Sequence, residues 1–205
     1  MSVAIVDYGV GNLFSLQSSL AHIGAEATVT SDAETIAAAE RVVLPGVGAF
    51  GDAARKLRRS GLDRAVLDAA AAGKPLLGIC LGMQLLFDRS FEHGEHAGLG
   101  LVPGEVRPIA EVIPKDYKIP HIGWNSLDFC DMDSPLFRYI REKDRVYFVH
   151  SYYAASCGAH TVATAEYGAP LTAAVQRDKI YGCQFHPEKS GTVGLNILRA
   201  FCEVC

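Results

Sequence analysis

Cys80 stands between Gly78 and Gly82 in the stretch GICLG, directly after the apolar run PLLGI and directly before LGMQLLF. A thiol in that setting can serve as a nucleophile. The spacing makes a G-x-nucleophile-x-G turn, in which glycines let the backbone close sharply around a strained residue between a strand and a helix. The turn predicts a sulfur exposed at the sheet edge, at a helix N-terminus whose unpaired N–H groups and macrodipole attract negative charge. The N–H of Leu81 is then placed as one oxyanion donor. A lone cysteine in a βα turn is ordinarily a small core residue. The flanking glycines argue otherwise, and the presence of a base decides.

The stretch YGCQFHPEKSG near the C-terminus supplies that base. His186 follows an apolar strand pattern, and Glu188 lies two residues on. In an extended segment both side chains project to one side, so the carboxylate can hold one imidazole nitrogen and turn the other toward a nucleophile. A His-x-Glu pair alone is commonplace on surfaces. Together with the Cys80 turn it satisfies the logic of nucleophile, base and orienter.

Such residues must be held by a scaffold, and the chain alternates strand and helix patterns in its first half. SVAIVDY (2–8) reads as a buried strand, followed by a helix over 13–24 with Leu13, Leu16, Leu20 and Ile23 on one face and Gly24 closing it. ATVT with SDAETIAAA, RVVLPG with a helix from about Gly51, and KPLLGIC with LGMQLLF repeat the theme, with Ser31 or Asp32 as N-cap. This predicts an α/β fold, a parallel sheet with helices on both faces. In the second half GEVRPIA, YKIP, WNSLDF, RVYFVHSYY, HTVATAEYG, LTAAVQR and KIYGCQFHPEKS read as strands, so part of the sheet is expected to be antiparallel; a last helix spans 191–203. No linker or repeat divides residues 1–205, which predicts a single domain.

Composition excludes other classes. With 49% hydrophobic and 20% charged residues over 205 positions the chain can bury a sizeable core, and a net charge of −4 carries no footprint for nucleic acid or an anionic membrane. The N-terminus lacks a basic signal-type region and the apolar runs are too short to span a bilayer, so a cytoplasmic location is expected. Six cysteines without CxxC spacing fit a reducing compartment, and no metal or organic cofactor is called for.

GICLGMQ and QFHPEKS, in this order on an α/β chain, resemble class I glutamine amidotransferases of flavodoxin-like fold. DYGVGN (7–12), LPGVGAFGDA (44–53), PHIGWN (120–125) and YFVHSYY (147–153) narrow the resemblance to the glutaminase subunits of imidazole glycerol phosphate synthases, over essentially the whole chain. The resemblance implies hydrolysis of glutamine through a thioester on Cys80, with His186 and Glu188 completing the triad. The ammonia passes to a (β/α)8-barrel cyclase subunit, which forms imidazole glycerol phosphate and AICAR in histidine biosynthesis; the two subunits form a heterodimer. It further implies that Gly46, Val47 and Gly48 form the second oxyanion strand beside Leu81, that Gln84, Ser151 and Tyr152 hold the substrate amino acid, and that Asn12, Trp124, Tyr147 and Lys189 face the cyclase. His150 reads as structural rather than as a second base. RDKIYGCQ departs from the family by carrying Asp178-Lys179 where an asparagine-containing turn is expected.

Two other readings stay open on the residues alone. An α/β-hydrolase-type esterase or peptidase would share the turn around Cys80, although its acid normally precedes its histidine in the chain. A non-enzymatic subunit that only binds and regulates a partner would need a broken triad, whereas here the triad is intact. Without Walker spacing or a following lysine, LPGVGAF reads as a turn rather than a phosphate cradle.

Overall fold

The computed structural model describes residues 2–205. An eight-stranded sheet runs through it in the order β2-β1-β3-β4-β14-β13-β12-β9. Its parallel part comprises β1 (Ser2–Val6), β2 (Glu26–Thr30), β3 (Arg41–Leu44), β4 (Leu76–Ile79) and β14 (Ile180–Cys183). Beyond β14, the strands β13 (Pro170–Arg177), β12 (Thr161–Glu166) and β9 (Asp128–Phe129) continue antiparallel. The mixed sheet expected from the two halves of the sequence is present. Asp178 and Lys179 form the two-residue turn from β13 to β14, with Asp178 at φ 52°. Aspartate, like asparagine, tolerates that left-handed region, so the departure from the family pattern costs the turn little.

Both faces of the inner parallel strands β1, β3, β4 and β14 are buried, which is why these runs are mostly apolar, whereas β2 at the edge (EATVT) has no buried residue. Val3 and Ile5 of β1 pack toward α1 (Leu13–His22) and α6 (Gly191–Glu203), where Leu16, Leu20, Ile197 and Phe201 meet them. Ala4 and Val6 point the opposite way, toward Ile36 of α2 (Ala33–Ala38), Leu57 of α3 (Phe50–Arg59) and Val66 of α4 (Leu62–Ala71). Asp32 caps α2, its carboxylate accepting from the N–H groups of Glu34 and Thr35. Among the described residues no helix is long and apolar enough to cross a membrane.

Three local expectations are corrected. LGMQLLF is helical only over α5 (Leu81–Leu85); Leu86 already accepts from Leu101 and Val102, and the chain leaves as β5 (Phe87–Ser90) between β6 (His96–Ala97) and β7 (Val102–Pro108). An apolar run without clear period yields to this tertiary pairing. YKIP is not a strand: Pro120 has no N–H for a ladder, and β8 (His121–Ser126) starts immediately after it. RVYFVHSYY is broken at Ser151 into β10 (Arg145–His150), which pairs with β8, and β11 (Tyr152–Ala155), which pairs with β7. That break positions Ser151 and Tyr152 at the mouth of a pocket.

Candidate active site

Cys80 follows β4, the fourth of eight strands, and begins α5. Its backbone sits at φ 55°, ψ −111°, a costly conformation for a residue with a Cβ, held by the hydrogen bond from its N–H to Cys183 O at 2.7 Å. The flanking glycines are required by space. A Cβ on Gly82 would lie 1.8 Å from Leu44 O and one on Gly78 would lie 2.7 Å from Met83 Cα. The expected exposure at a sheet edge is overturned: the strand is central and Cys80 is only 7% exposed. Its access to small molecules is through a pocket of about 650 Å³.

His186 and Glu188 meet as the spacing suggested, by another backbone route. The segment Pro187–Lys189 is a 3-10 turn rather than an extended strand, and within it Nδ1 of His186 lies 2.8 Å from Glu188 Oε1. Ser190 fixes this turn, donating to His186 O at 2.6 Å and accepting from Tyr147 N–H at 2.9 Å. Gly194 of α6 lets the helix approach, since a Cβ there would fall 1.9 Å from Pro187 O. The second imidazole nitrogen, Nε2, is buried without a hydrogen-bond partner; Cys80 acts on the ring but stands outside hydrogen-bond geometry. Burial opposes protonation of His186, but Cys80 and Glu188 outweigh it and raise its pKa to about 9.

The sequence reading missed three residues around this pair. Gln184, fully buried, donates from Nε2 to the Cys80 sulfur at 3.6 Å, and its Oε1 accepts from Gln84 at 3.0 Å. The i, i+2 spacing of Gln184 and His186 was the available signal. Tyr8 donates to Pro45 O at 2.8 Å and so anchors one end of the loop 45–49; burial pushes its hydroxyl pKa up. Glu92 anchors the other end, accepting from Phe50 N–H at 2.6 Å, and also lines the pocket. It is the acidic residue among those that line the pocket, and nothing local in the sequence marked it.

The expected substrate residues are gathered here with one exception. Val47, Gly48, Leu81, Gln84, Ser151 and Tyr152 line the pocket with Cys80 and His186. Gln84 is buried rather than solvent-exposed, and donates to Tyr152 O at 3.2 Å. Gly46 does not line the pocket. It packs behind the loop, where an added Cβ would lie 2.8 Å from Gly82 N and 2.8 Å from the Tyr8 hydroxyl.

A family model described as glutamine amidotransferase class-I matches residues 4–204. Imidazole glycerol phosphate synthase subunit HisH of Wolinella succinogenes is 47% identical over 204 residues, covering 98% of this chain and 99% of that protein. The chain belongs to the HisH family of class-I glutamine amidotransferases. The HisH subunit of Rhodopirellula baltica is 48% identical over 200 residues, covering 97% and 96% of the two chains. At the level of fold, PurLQS from Thermotoga maritima superposes with a TM-score of 0.76 at 20% identity, covering 98% of this chain and 97% of that one. The Trypanosoma brucei CTPS glutaminase domain gives 0.69 at 16%, covering 99% and 94%.

Of the four residues expected at a partner surface, Lys189 lines the pocket of this HisH-family chain and the other three lie outside its lining. Trp124 and Tyr147 sit on paired strands with ring centroids 6.2 Å apart, and Trp124 is 53% exposed. Lys189 lines the pocket rim, and α1, which Asn12 precedes, packs against the Pro187–Lys189 turn. His150 lines the pocket and makes polar contacts to Tyr152 O at 2.8 Å and to Nδ1 of His121 at 2.9 Å.

The three buried histidines predict a bell in stability against pH. Burial, the largest cause for both, lowers the pKa values of His121 and His150 to about 4. The unfolded chain therefore binds protons that the folded one refuses, and stability is expected to fall as pH drops from about 6.5 to about 4. His186 is raised, so its contribution is present below about 6.5 and is lost as pH rises through about 9. Thermal midpoints measured from pH 4 to 10 check this; a flat profile across both windows contradicts it.

Proposed function

We propose that this chain hydrolyses glutamine to glutamate and ammonia through a thioester on Cys80, and delivers the ammonia to a (β/α)8-barrel cyclase subunit with which it forms a heterodimer in the cytoplasm. On this reading residues 1–205 form one glutamine amidotransferase domain. The curated HisH relatives, named as subunits of imidazole glycerol phosphate synthase, support the partner and the place in histidine biosynthesis. The observation that carries the chemistry is the His186–Glu188 contact of 2.8 Å, with Nε2 left free beside Cys80 at the foot of the pocket.

The steps follow from that geometry. Cys80 passes its proton to His186 Nε2 and its sulfur attacks the glutamine side-chain carbonyl carbon. The oxyanion is met by the Leu81 N–H and by amides of the loop at Val47 and Gly48. Collapse of the tetrahedral intermediate breaks the C–N bond, His186 returns the proton to the leaving nitrogen, and ammonia departs. Water, deprotonated by His186, then attacks the thioester and releases glutamate. Glu188 holds Nδ1–H and stabilises the imidazolium. Glu92 offers the carboxylate that an α-ammonium group needs, while Gln84, Ser151 and Tyr152 enclose the rest of the amino-acid end.

A glutamine-mimicking electrophile is expected to add one equivalent of mass at Cys80 and nowhere else, as read by peptide mass spectrometry. In glutaminase assays of the complex, Glu188→Gln should retain about two orders of magnitude more activity than His186→Ala, because the acid only orients and stabilises the ring. Labelling at another cysteine, or equal damage by the two variants, would overturn these roles.

A further inference from the structure

PHIGWN contributes a histidine and an asparagine that the chemistry above does not use. His121 and His150 are directly opposed on β8 and β10. Both are buried, at 3% and 6% exposure. The hydrogen-bond directions in this pair can be worked out from its ends. Asn125 is fixed, because its Oδ1 accepts from Ser126 N–H at 2.8 Å and its Nδ2 donates to Glu166 O at 2.8 Å. The same amide nitrogen approaches His121 Nε2 at 3.3 Å, so Nε2 must be the acceptor. His121 then carries its proton on Nδ1 and donates to His150 Nε2 at 2.9 Å. His150 in turn carries its proton on Nδ1 and donates to Tyr152 O at 2.8 Å. Every ring nitrogen is satisfied only with both imidazoles as Nδ1–H tautomers.

This hydrogen-bonded chain meets the pocket at His150, which lines it, and at Tyr152 O. Tyr152 O also accepts from Gln84, whose amide reaches Gln184 and through it the Cys80 sulfur. We propose that His121 and His150 are positioning residues for glutamine binding: as a one-way hydrogen-bond relay from Asn125 they fix the Tyr152 carbonyl, and with it Gln84 and the Ser151–Tyr152 segment, at the amino-acid end of the pocket. The proposal rests on the glutaminase reading above. The surroundings suit it. His121 is sandwiched between Phe148 and Tyr167, with ring centroids at 4.9 and 4.1 Å, and the titratable side chains facing the pair are Tyr167 and, from the turn after β14, His186. A proton added to either ring forces an N–H against the fixed Asn125 donor or leaves two N–H groups facing each other, which breaks the relay.

The test is made in the complex with its cyclase, with ammonium-dependent synthesis as the control. His121→Phe preserves the ring stack and removes both nitrogens; it is expected to raise KM for glutamine by about tenfold, the effect of one lost buried hydrogen bond, with kcat changed far less. His121→Asn, whose amide N–H occupies the place of Nδ1–H, is expected to recover most of that loss. The tautomers are read independently of activity, by ¹⁵N spectra of histidine-labelled wild-type protein at pH 7, where both rings are expected as neutral Nδ1–H forms. An Nε2–H tautomer at either ring, an unchanged KM in His121→Phe, or equal damage by Asn and Phe overturns the relay. Absence of glutaminase activity in the wild-type complex would instead sink the functional reading, leaving the tautomers to judge the relay.

Discussion

Cys80→Ala is expected to lower glutamine-dependent synthesis by the complex by at least about three orders of magnitude, while synthesis from added ammonium salts stays within about twofold of wild type. Cys80 is the one cysteine that lines the pocket and so the residue placed to form the thioester, and nothing downstream of ammonia release uses its sulfur. The variant should fold, because the loss is a single sulfur facing a pocket and Gln184 is the residue that donates to it. It also carries a signature independent of turnover. Cys80 contributes to raising the pKa of His186, so its removal should bring the His186 titration down from about 9, with Glu188 still opposing the effect of burial. The two activities measured side by side, with the His186 titration followed by NMR, decide the matter. Equal loss of glutamine-dependent and ammonium-dependent synthesis would exclude the assigned role for Cys80.

What could be read from sequence was what is local or repeated. The glycines around Cys80 announced the nucleophile because strand and helix approach so closely there that a Cβ on Gly82 would enter the Leu44 carbonyl. The alternation of apolar runs predicted the parallel sheet, since strands buried on both faces have no polar side to show. The His186–Glu188 contact was found for a partly wrong reason, an extended segment where a 3-10 turn exists, because i and i+2 residues can meet in either. For Gln184 only its i, i+2 spacing from His186 was legible, and for Tyr8, Glu92 and the His121–His150 pair nothing was. Their partners lie 104, 37, 42 and 29 residues away in the chain, and only the sheet register and the loop packing bring them together. The burial of Cys80 was missed for the same reason. A turn after a strand reads alike at an edge and at the centre, and the position of β4 in the sheet is set by β14, from the far end of the sequence.

The loop that carries Val47 gives the other large expected effect. Tyr8 holds its start at Pro45 and Glu92 holds its end at Phe50, yet between these anchors the backbone of residues 46–48 makes no hydrogen bond with the described residues, and Val47 is 40% exposed. An oxyanion donor in such a segment is not pre-organised, and one donor is worth about 10²–10³ in rate. The pocket rim formed by Val47 and Lys189 adjoins an apolar surface on which Ile122 is 58% and Trp124 53% exposed, a surface suited to burial against the cyclase. Docking there would exclude water from the rim and let Lys189 pair with a carboxylate of the partner, desolvation offsetting part of the gain. If docking and cyclase ligand together favour the loop geometry that completes the oxyanion hole, glutamine turnover by the isolated chain should be low and should rise by about 10²–10³ in the liganded complex. Lys189→Ala should reduce that stimulation, because the lysine is proposed to pair across the interface. Glutaminase rates measured for the free chain, the complex and the liganded complex, with and without the substitution, check the coupling. Full activity in the free chain, unchanged by the cyclase, would show that the loop needs no partner to present its amide and would leave only the triad assignment standing.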